Sequence, residues 1–181
     1  NYPGITFDEK GICSICKKKE KQIQYKGINQ LKKDIKTILD KSDKDREYDC
    51  VVGYSGGRDS SYLLYFVKEV LKLKVLAITL EHDFIPKQTR KNIENLAWKL
   101  GVEVKFIKND ALNKCGRQCV KAWAKHPDAA MCTTFCTGCR YGIKKIIPQY
   151  ARKHHIPILL VGNTPYEKIN YRVNLLCGNA K

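Results

Sequence analysis

Apolar and polar positions along this chain alternate between two periods. Four short runs, Cys50 to Tyr54, Lys74 to Leu80, Val102 to Ile107 and Ile156 to Val161, are dense in Val, Ile and Leu and read as strands. Between them the apolar residues recur at helical spacing. Tyr62, Leu63, Phe66, Val67, Val70 and Leu71 mark a helix over Ser60 to Lys72, and Thr89 to Leu100 mark another that Gly101 stops. Ala111 to Ala124 look helical as well, and a further helix opens near Met131 and runs to about Arg152. Strand, helix, strand, helix, strand is the doubly wound pattern, so the chain is expected to be an α/β protein with a mainly parallel sheet of about five strands. Ahead of the first strand, Lys17 to Asp45 carry an amphipathic stripe of Ile28, Leu31, Ile35, Ile38 and Leu39, expected as a lysine-rich helix packed outside the sheet.

The first strand runs straight into Ser55-Gly56-Gly57-Arg58-Asp59-Ser60-Ser61 and then into a helix. The first N–H groups of a helix have no internal partner and lie at the positive end of its dipole, while glycines let the backbone approach a phosphate without a Cβ in the way. Ser55, Ser60 and Ser61 bring hydroxyls, Arg58 a fixed charge and Asp59 a carboxylate for Mg2+. The spacing is not that of the Walker loop, which lacks this compact Gly-Gly pair and needs a Lys-Ser/Thr pair. An ordinary turn capping a core helix is the plainer alternative for two glycines alone; strand, turn and helix in sequence favour the phosphate cradle.

Ser-Gly-Gly-Arg-Asp-Ser resembles the SGGxDS signature of PP-loop ATP pyrophosphatases, the superfamily of GMP synthetase, asparagine synthetase, NAD synthetase and several tRNA thiolases. The resemblance implies an adenine nucleotide alpha-hydrolase-like fold and ATP cleaved between its α and β phosphates. AMP would pass to a carbonyl-type oxygen of the substrate, and a nucleophile would then displace it. Glu81, His82 and Asp83 at the carboxyl end of the second strand, and Gly162 at that of the last, would border the nucleotide by position, because ligands of open parallel sheets bind outside the carboxyl ends of the strands.

Nine cysteines change the picture further. Cys13 and Cys16 form a Cys-x-x-Cys knuckle, half of a tetrahedral zinc site. Cys132, Cys136 and Cys139 crowd a short turn-forming stretch, where packing explains them poorly and zinc ligation, a 4Fe–4S cluster or thiol chemistry remain open. Cys115 and Cys119 stand one turn apart on one helix face and are taken as core thiols; Cys177 is taken as an ordinary buried one. The run Gly4 to Cys16 is similar to the start of N-acetyl sugar amidotransferases of lipopolysaccharide biosynthesis. Cys136-Thr137-Gly138-Cys139-Arg140-Tyr141-Gly142-Ile143 resembles their "C-x-P-C-x-x-G-I" element with glycine for proline. Ile156 to Glu167 follow their "IPLIxxGENPxxE" in outline, with Asn163 and Thr164 departing from it.

Lys and Arg number 34 against 18 Asp and Glu, a formal net charge of +16. Such a field favours an anionic partner, a nucleotide-linked sugar or RNA alike, although lysine-rich helix surfaces account for much of it. No run approaches the ~20 apolar residues of a membrane span, and the protein is expected to be cytoplasmic. The chain opens on Asn1 rather than Met and is expected to be part of a longer protein. Two parts are expected: 1–46, the cysteine knuckle and helical arm, and 47–181, the PP-loop domain. The resemblance implies ATP-dependent activation of an amide oxygen on a nucleotide-linked N-acetyl sugar, with ammonia from a separate glutaminase subunit. Cys136 and Cys139 would join Cys13 and Cys16 around Zn2+. The alternative is a tRNA thiolase that delivers sulfur from Cys132, Cys136 and Cys139 or their iron–sulfur cluster. A third reading, of another class, is a catalytically silent, metal-stapled RNA-binding module.

Overall fold

The computed structural model describes residues 5–17, 24–108, 110–127 and 131–162, without the side chains of residues 15, 111 and 131–141. Its elements are α1 (Ser14–Lys17), α2 (Gly27–Asp40), β1 (Cys50–Gly53), α3 (Arg58–Tyr65) continuing into a π-helical turn (Phe66–Val70), β2 (Val75–Glu81), α4 (Lys87–Leu100), β3 (Glu103–Lys108), α5 (Asp110–Lys125), α6 (Met131–Lys153) and β4 (Ile158–Leu160). The four strands form one sheet in the order β3-β2-β1-β4, with every neighbouring pair parallel. Four of the expected five or so strands are thus among the described residues. Asn163, Thr164 and Cys177 lie outside them.

The pleat divides the strands' side chains between two cores. Cys50, Val52, Val75 and Ala77 face Ile35 of α2, Leu64 and Val67 of the α3 region and Ile93 of α4, while Val51, Leu76, Ile78 and Leu80 face Ile147 and Ala151 of α6. Helices therefore cover both sheet faces. This is why β1 can be apolar throughout, with Cys50, Val51 and Val52 fully buried. Burial pushes the Cys50 thiol up to about 12, with Asp49 adding to the shift, so this cysteine is an inert core residue.

The helix after the phosphate loop is less regular than its spacing predicts. It starts at Arg58 and widens into the π turn, where the Leu71 N–H donates to the Phe66 carbonyl at 2.9 Å. The wider turn returns Leu71 and Leu73 to the face already buried by Leu64 and Val67. α4 ends as expected, at Gly101 in the left-handed region (φ 58°).

Besides the packing of Ile35, charged contacts tie the lysine-rich arm to the sheet. Asp49, at the foot of β1, accepts from Arg46 Nε at 2.7 Å and from the Lys74 N–H at 2.8 Å, while Arg46 Nη1 donates to the Asp43 carbonyl at 2.7 Å. One half-turn of charge thus fixes the end of α2, the start of β1 and the start of β2 together. Among the described residues no helix is long and apolar enough to cross a membrane.

Candidate active site

The chain order 3-2-1-4 makes the gap between β1 and β4 the topological switch point, where connections leave the sheet in opposite directions and a crevice opens at the carboxyl ends. The Ser55–Ser61 segment occupies that crevice. Its root is rigid: the Tyr54 N–H donates to the Ile78 carbonyl at 2.8 Å, and the buried Thr79 hydroxyl donates to the Tyr54 carbonyl at 2.7 Å. Gly53 has no Cβ to collide with Ile147 and Val161, which would lie 3.3 and 3.4 Å from one, so α6 and the end of β4 close in around the strand's last residue.

From this root the loop is held by serines and by glycine geometry. The Ser60 hydroxyl, buried, donates to the Gly57 carbonyl at 3.1 Å, lies 3.1 Å from Ser55 Oγ and accepts the Ser55 N–H at 3.3 Å. Ser60 is therefore a clasp that shapes the loop, and Ser61 bonds the buried Tyr54 phenol. Ser55, Gly57, Arg58 and Asp59 remain exposed. Gly56 adopts φ +77°, and a Cβ there would lie 2.7 Å from Ile93 Cγ1 and 3.2 Å from Thr89 Cγ2. Only glycine lets α4 pack this closely against the loop.

At the start of α3, Gly57 stands at the N-cap and no side chain caps the helix. The first closed turn is Ser61 N–H to Gly57 carbonyl at 2.9 Å, so the amides of Arg58, Asp59 and Ser60 precede the ladder. Gly162, just past β4, brings its backbone against this turn: a Cβ there would touch Asp59 carbonyl atoms at 3.5 Å and the Ser60 nitrogen at 3.6 Å. Uncapped amides, an exposed Arg58 and a bare glycine wall suit a polyphosphate, and the exposed Asp59 carboxylate suits its Mg2+.

The three polar residues at the carboxyl end of β2 separate. Glu81 pairs with Arg90 of α4, which also reaches Glu94 at 3.1 Å and stacks over Phe106 at 4.2 Å. Asp83 instead turns to α5, pairing with Arg117 and accepting from Asn113 Nδ2 at 3.2 Å. His82 is partly buried, which holds its imidazole pKa below the ordinary value despite Asp83, and its Nδ1 accepts the Phe84 N–H at 3.3 Å. Thr89 and Ile93, which fix Gly56, and Asn113 and Arg117, which fix Asp83, were not singled out from the sequence. Each acts across the fold, and no local motif marks it.

At the other end of the chain, Phe7 bridges Cys13 antiparallel around a turn in which Asp8 Oδ1 accepts from the Lys10 and Ile12 amides at 2.9 and 2.8 Å. The Cys16 N–H donates to Cys13 Sγ at 3.3 Å, the arrangement of a metal knuckle. A side-chain hydrogen bond to Cys13, and the charge of that neighbour, push the Cys16 thiol up. Among the described residues no three or more Cys, His, Asp or Glu side chains converge as a metal site. Cys132, Cys136 and Cys139 lie in the first part of α6, and their side chains are outside the described set, as is the expected pairing of Cys136 and Cys139 with the knuckle. Cys115 and Cys119 are not fully buried core thiols: Cys115 is exposed and Cys119 half-buried. Burial and a Cys115 hydrogen bond raise the Cys119 thiol.

A parallel α/β sheet with a Ser-Gly-Gly loop at its switch point is the arrangement of the PP-loop superfamily. The chain belongs to the NAD synthase family, whose model matches residues 27–145. It is 27% identical over 108 residues to the uncharacterized protein MJ1599 of Methanocaldococcus jannaschii, a match covering 59% of this chain and 38% of that protein's length. The fold resembles the U34-tRNA thiolase NcsA of Methanococcus maripaludis, solved with its 4Fe–4S cluster, at a TM-score of 0.51 and 16% identity over 84% of this chain and 51% of that one. The NH3-dependent NAD synthetase of Campylobacter jejuni gives a TM-score of 0.47 and 18% identity over 77% of this chain and 58% of that one.

The loop geometry predicts unequal glycines. Gly56→Ala combines left-handed strain with overlap on buried Ile93 and should destabilise by about 3 kcal/mol in urea unfolding. Gly57, with extended φ and its nearest neighbour, Ser55 Oγ, at 3.5 Å, should accept Ala within about 1 kcal/mol. Equal effects of the two substitutions would contradict this account of the loop.

Proposed function

We propose that the chain adenylates a carbonyl or amide oxygen of its substrate. That oxygen attacks the α-phosphorus of ATP, pyrophosphate leaves, and ammonia then attacks the activated carbon and expels AMP. The observation carrying this reading is the uncapped start of α3 beside Gly56 and Gly162: the Arg58, Asp59 and Ser60 amides and the Arg58 guanidinium suit the departing pyrophosphate, where charge accumulates. Asp59 would hold the Mg2+ that accompanies ATP. Ser55, exposed beside the Ser60 clasp, would donate to a phosphate oxygen. Membership of the NAD synthase family supports ATP-driven bond formation at this loop.

The acceptor in this reading is a nucleotide-linked N-acetyl sugar, and a separate glutaminase subunit supplies ammonia. The likeness of Gly4 to Cys16 and of Cys136 to Ile143 to sugar amidotransferases supports it. The chain spans 38% of the curated relative it matches, so acceptor and partner are assigned for the whole protein. Cys13 and Cys16 would bind Zn2+ together with two further thiolates, most simply Cys136 and Cys139, because their knuckle is already folded with the Cys16 amide donating to the Cys13 sulfur. A second reading, sulfur transfer to tRNA, draws on the exposed Cys115 of α5, a helix that packs against the α6 bearing Cys132, Cys136 and Cys139, and on the net charge of +16.

Product analysis tests the first step: ATP should yield AMP and pyrophosphate in an acceptor-dependent way, and Asp59→Asn should abolish both while circular dichroism stays unchanged. ADP and phosphate as products would end the assignment. The cysteines separate nitrogen from sulfur transfer. Anaerobically prepared protein is expected to be colourless, with zinc and little iron; a brown protein that loses its visible charge-transfer absorption on Cys132→Ser, Cys136→Ser or Cys139→Ser would replace the amidotransferase by the thiolase.

A further inference from the structure

Beyond the phosphate loop, the carboxyl ends of β2 and β3 open onto a second concavity of about 360 Å³. Asp83 closes one side and Lys108, the last residue of β3, the other; Asn113, Lys114, Arg117 and Lys121 of α5 form the remaining wall. Positions 114, 117 and 121 recur at three and four residues and so share one face of the helix. Asn113 is buried and locked in place: its Oδ1 accepts the Asp83 N–H at 2.8 Å while its Nδ2 donates to Asp83 at 3.2 Å. The base of the cavity is therefore preorganised.

Charge then identifies the class of ligand. Four cations (Lys108, Lys114, Arg117 and Lys121) face two carboxylates (Asp83 and Asp110), a surplus of two. Both carboxylates are already matched, Asp83 by Arg117 and Asp110 by Lys108 at 3.3 Å. Lys114 and Lys121 have no carboxylate partner among the described residues. Their stems rise two turns apart, roughly 10 Å along α5. The flexible lysine stems can close that separation onto one ligand, and a diphosphate offers two ammonium groups more anionic oxygens than one carboxylate does.

We infer that this cavity is a second anion subsite, which holds the diphosphate of a nucleotide-linked acceptor while ATP occupies the Ser55–Ser61 loop. The inference rests on the adenylation proposed above. Its place in the sheet suits that role, because β3 stands two strands from β1, about 10 Å away at the usual strand spacing. An acceptor anchored by its diphosphate at the end of β3 reaches along the carboxyl edge, and its amide oxygen arrives at the loop that presents the α-phosphorus of ATP.

Uridine diphosphate is the probe, since it carries a diphosphate and no adenine. It is titrated calorimetrically into the full chain already saturated with an ATP analogue that resists cleavage between its α and β phosphates. The nucleotide should still bind, more weakly as salt is raised, and Lys114→Ala with Lys121→Ala should cost at least about tenfold in affinity. Affinity for the ATP analogue, measured on the same preparations, reports separately on the loop: its loss in unmodified protein would end the adenylation reading and leave the subsite to be judged by uridine diphosphate alone. Displacement of uridine diphosphate by the analogue, no binding, or binding indifferent to the two substitutions would overturn the second subsite. So would a short RNA that depends on Lys114 and Lys121 where uridine diphosphate does not bind.

Discussion

The structure turns on a helix that starts without a cap. Gly57 supplies no side chain for the amides of Arg58, Asp59 and Ser60, and a helix start left in this state is stable only if water or an anion answers those donors. The surrounding fold keeps it so. Thr79 and Ile78 fix the strand end from which the loop departs, Ile93 and Thr89 press on Gly56 from α4, Ser60 turns its hydroxyl inward to hold Gly57, and Gly162 closes the other side. Each of these contacts comes from a different element. The parallel sheet with β1 at its centre is what delivers them to one place.

Much of this was legible in the sequence because it is local. Continuous apolar runs at Cys50–Gly53 and Val75–Glu81 can be satisfied only by burial on both faces, so they announce a parallel sheet between helices. Two glycines at a strand-to-helix junction announce the cradle for the same reason. What was not legible depends on contacts distant in the chain. Ser60 reads as one more hydroxyl until its clasp with Ser55 and Gly57 is seen. Glu81 and Asp83, two residues apart, go to Arg90 and Arg117 on different helices. The thiols of Cys115 and Cys119 have core-like spacing, and only the folded chain shows that Cys115 is exposed and Cys119 half-buried.

The excess of positive charge also takes on a form that counting could not give it. Much of it lies on solvated faces such as that of α2, where Lys32, Lys33 and Lys36 are exposed. On α5, by contrast, Lys114, Arg117 and Lys121 are aimed with Lys108 into one concavity at the carboxyl edge, next to the residues that close β2. Two anion sites on the same edge of one sheet would give the proposed adenylation its geometry: one polyphosphate would be cleaved while another is only held.

Hydrogen exchange at the start of α3 tests the central claim most directly. If the amides of Arg58, Asp59 and Ser60 are the phosphate donors, adding ATP with Mg2+ should slow exchange sharply in a peptide spanning Tyr54 to Tyr62. AMP, which lacks the β and γ phosphates, should protect it less. Protection that appears elsewhere while this segment exchanges at its free rate would contradict the account.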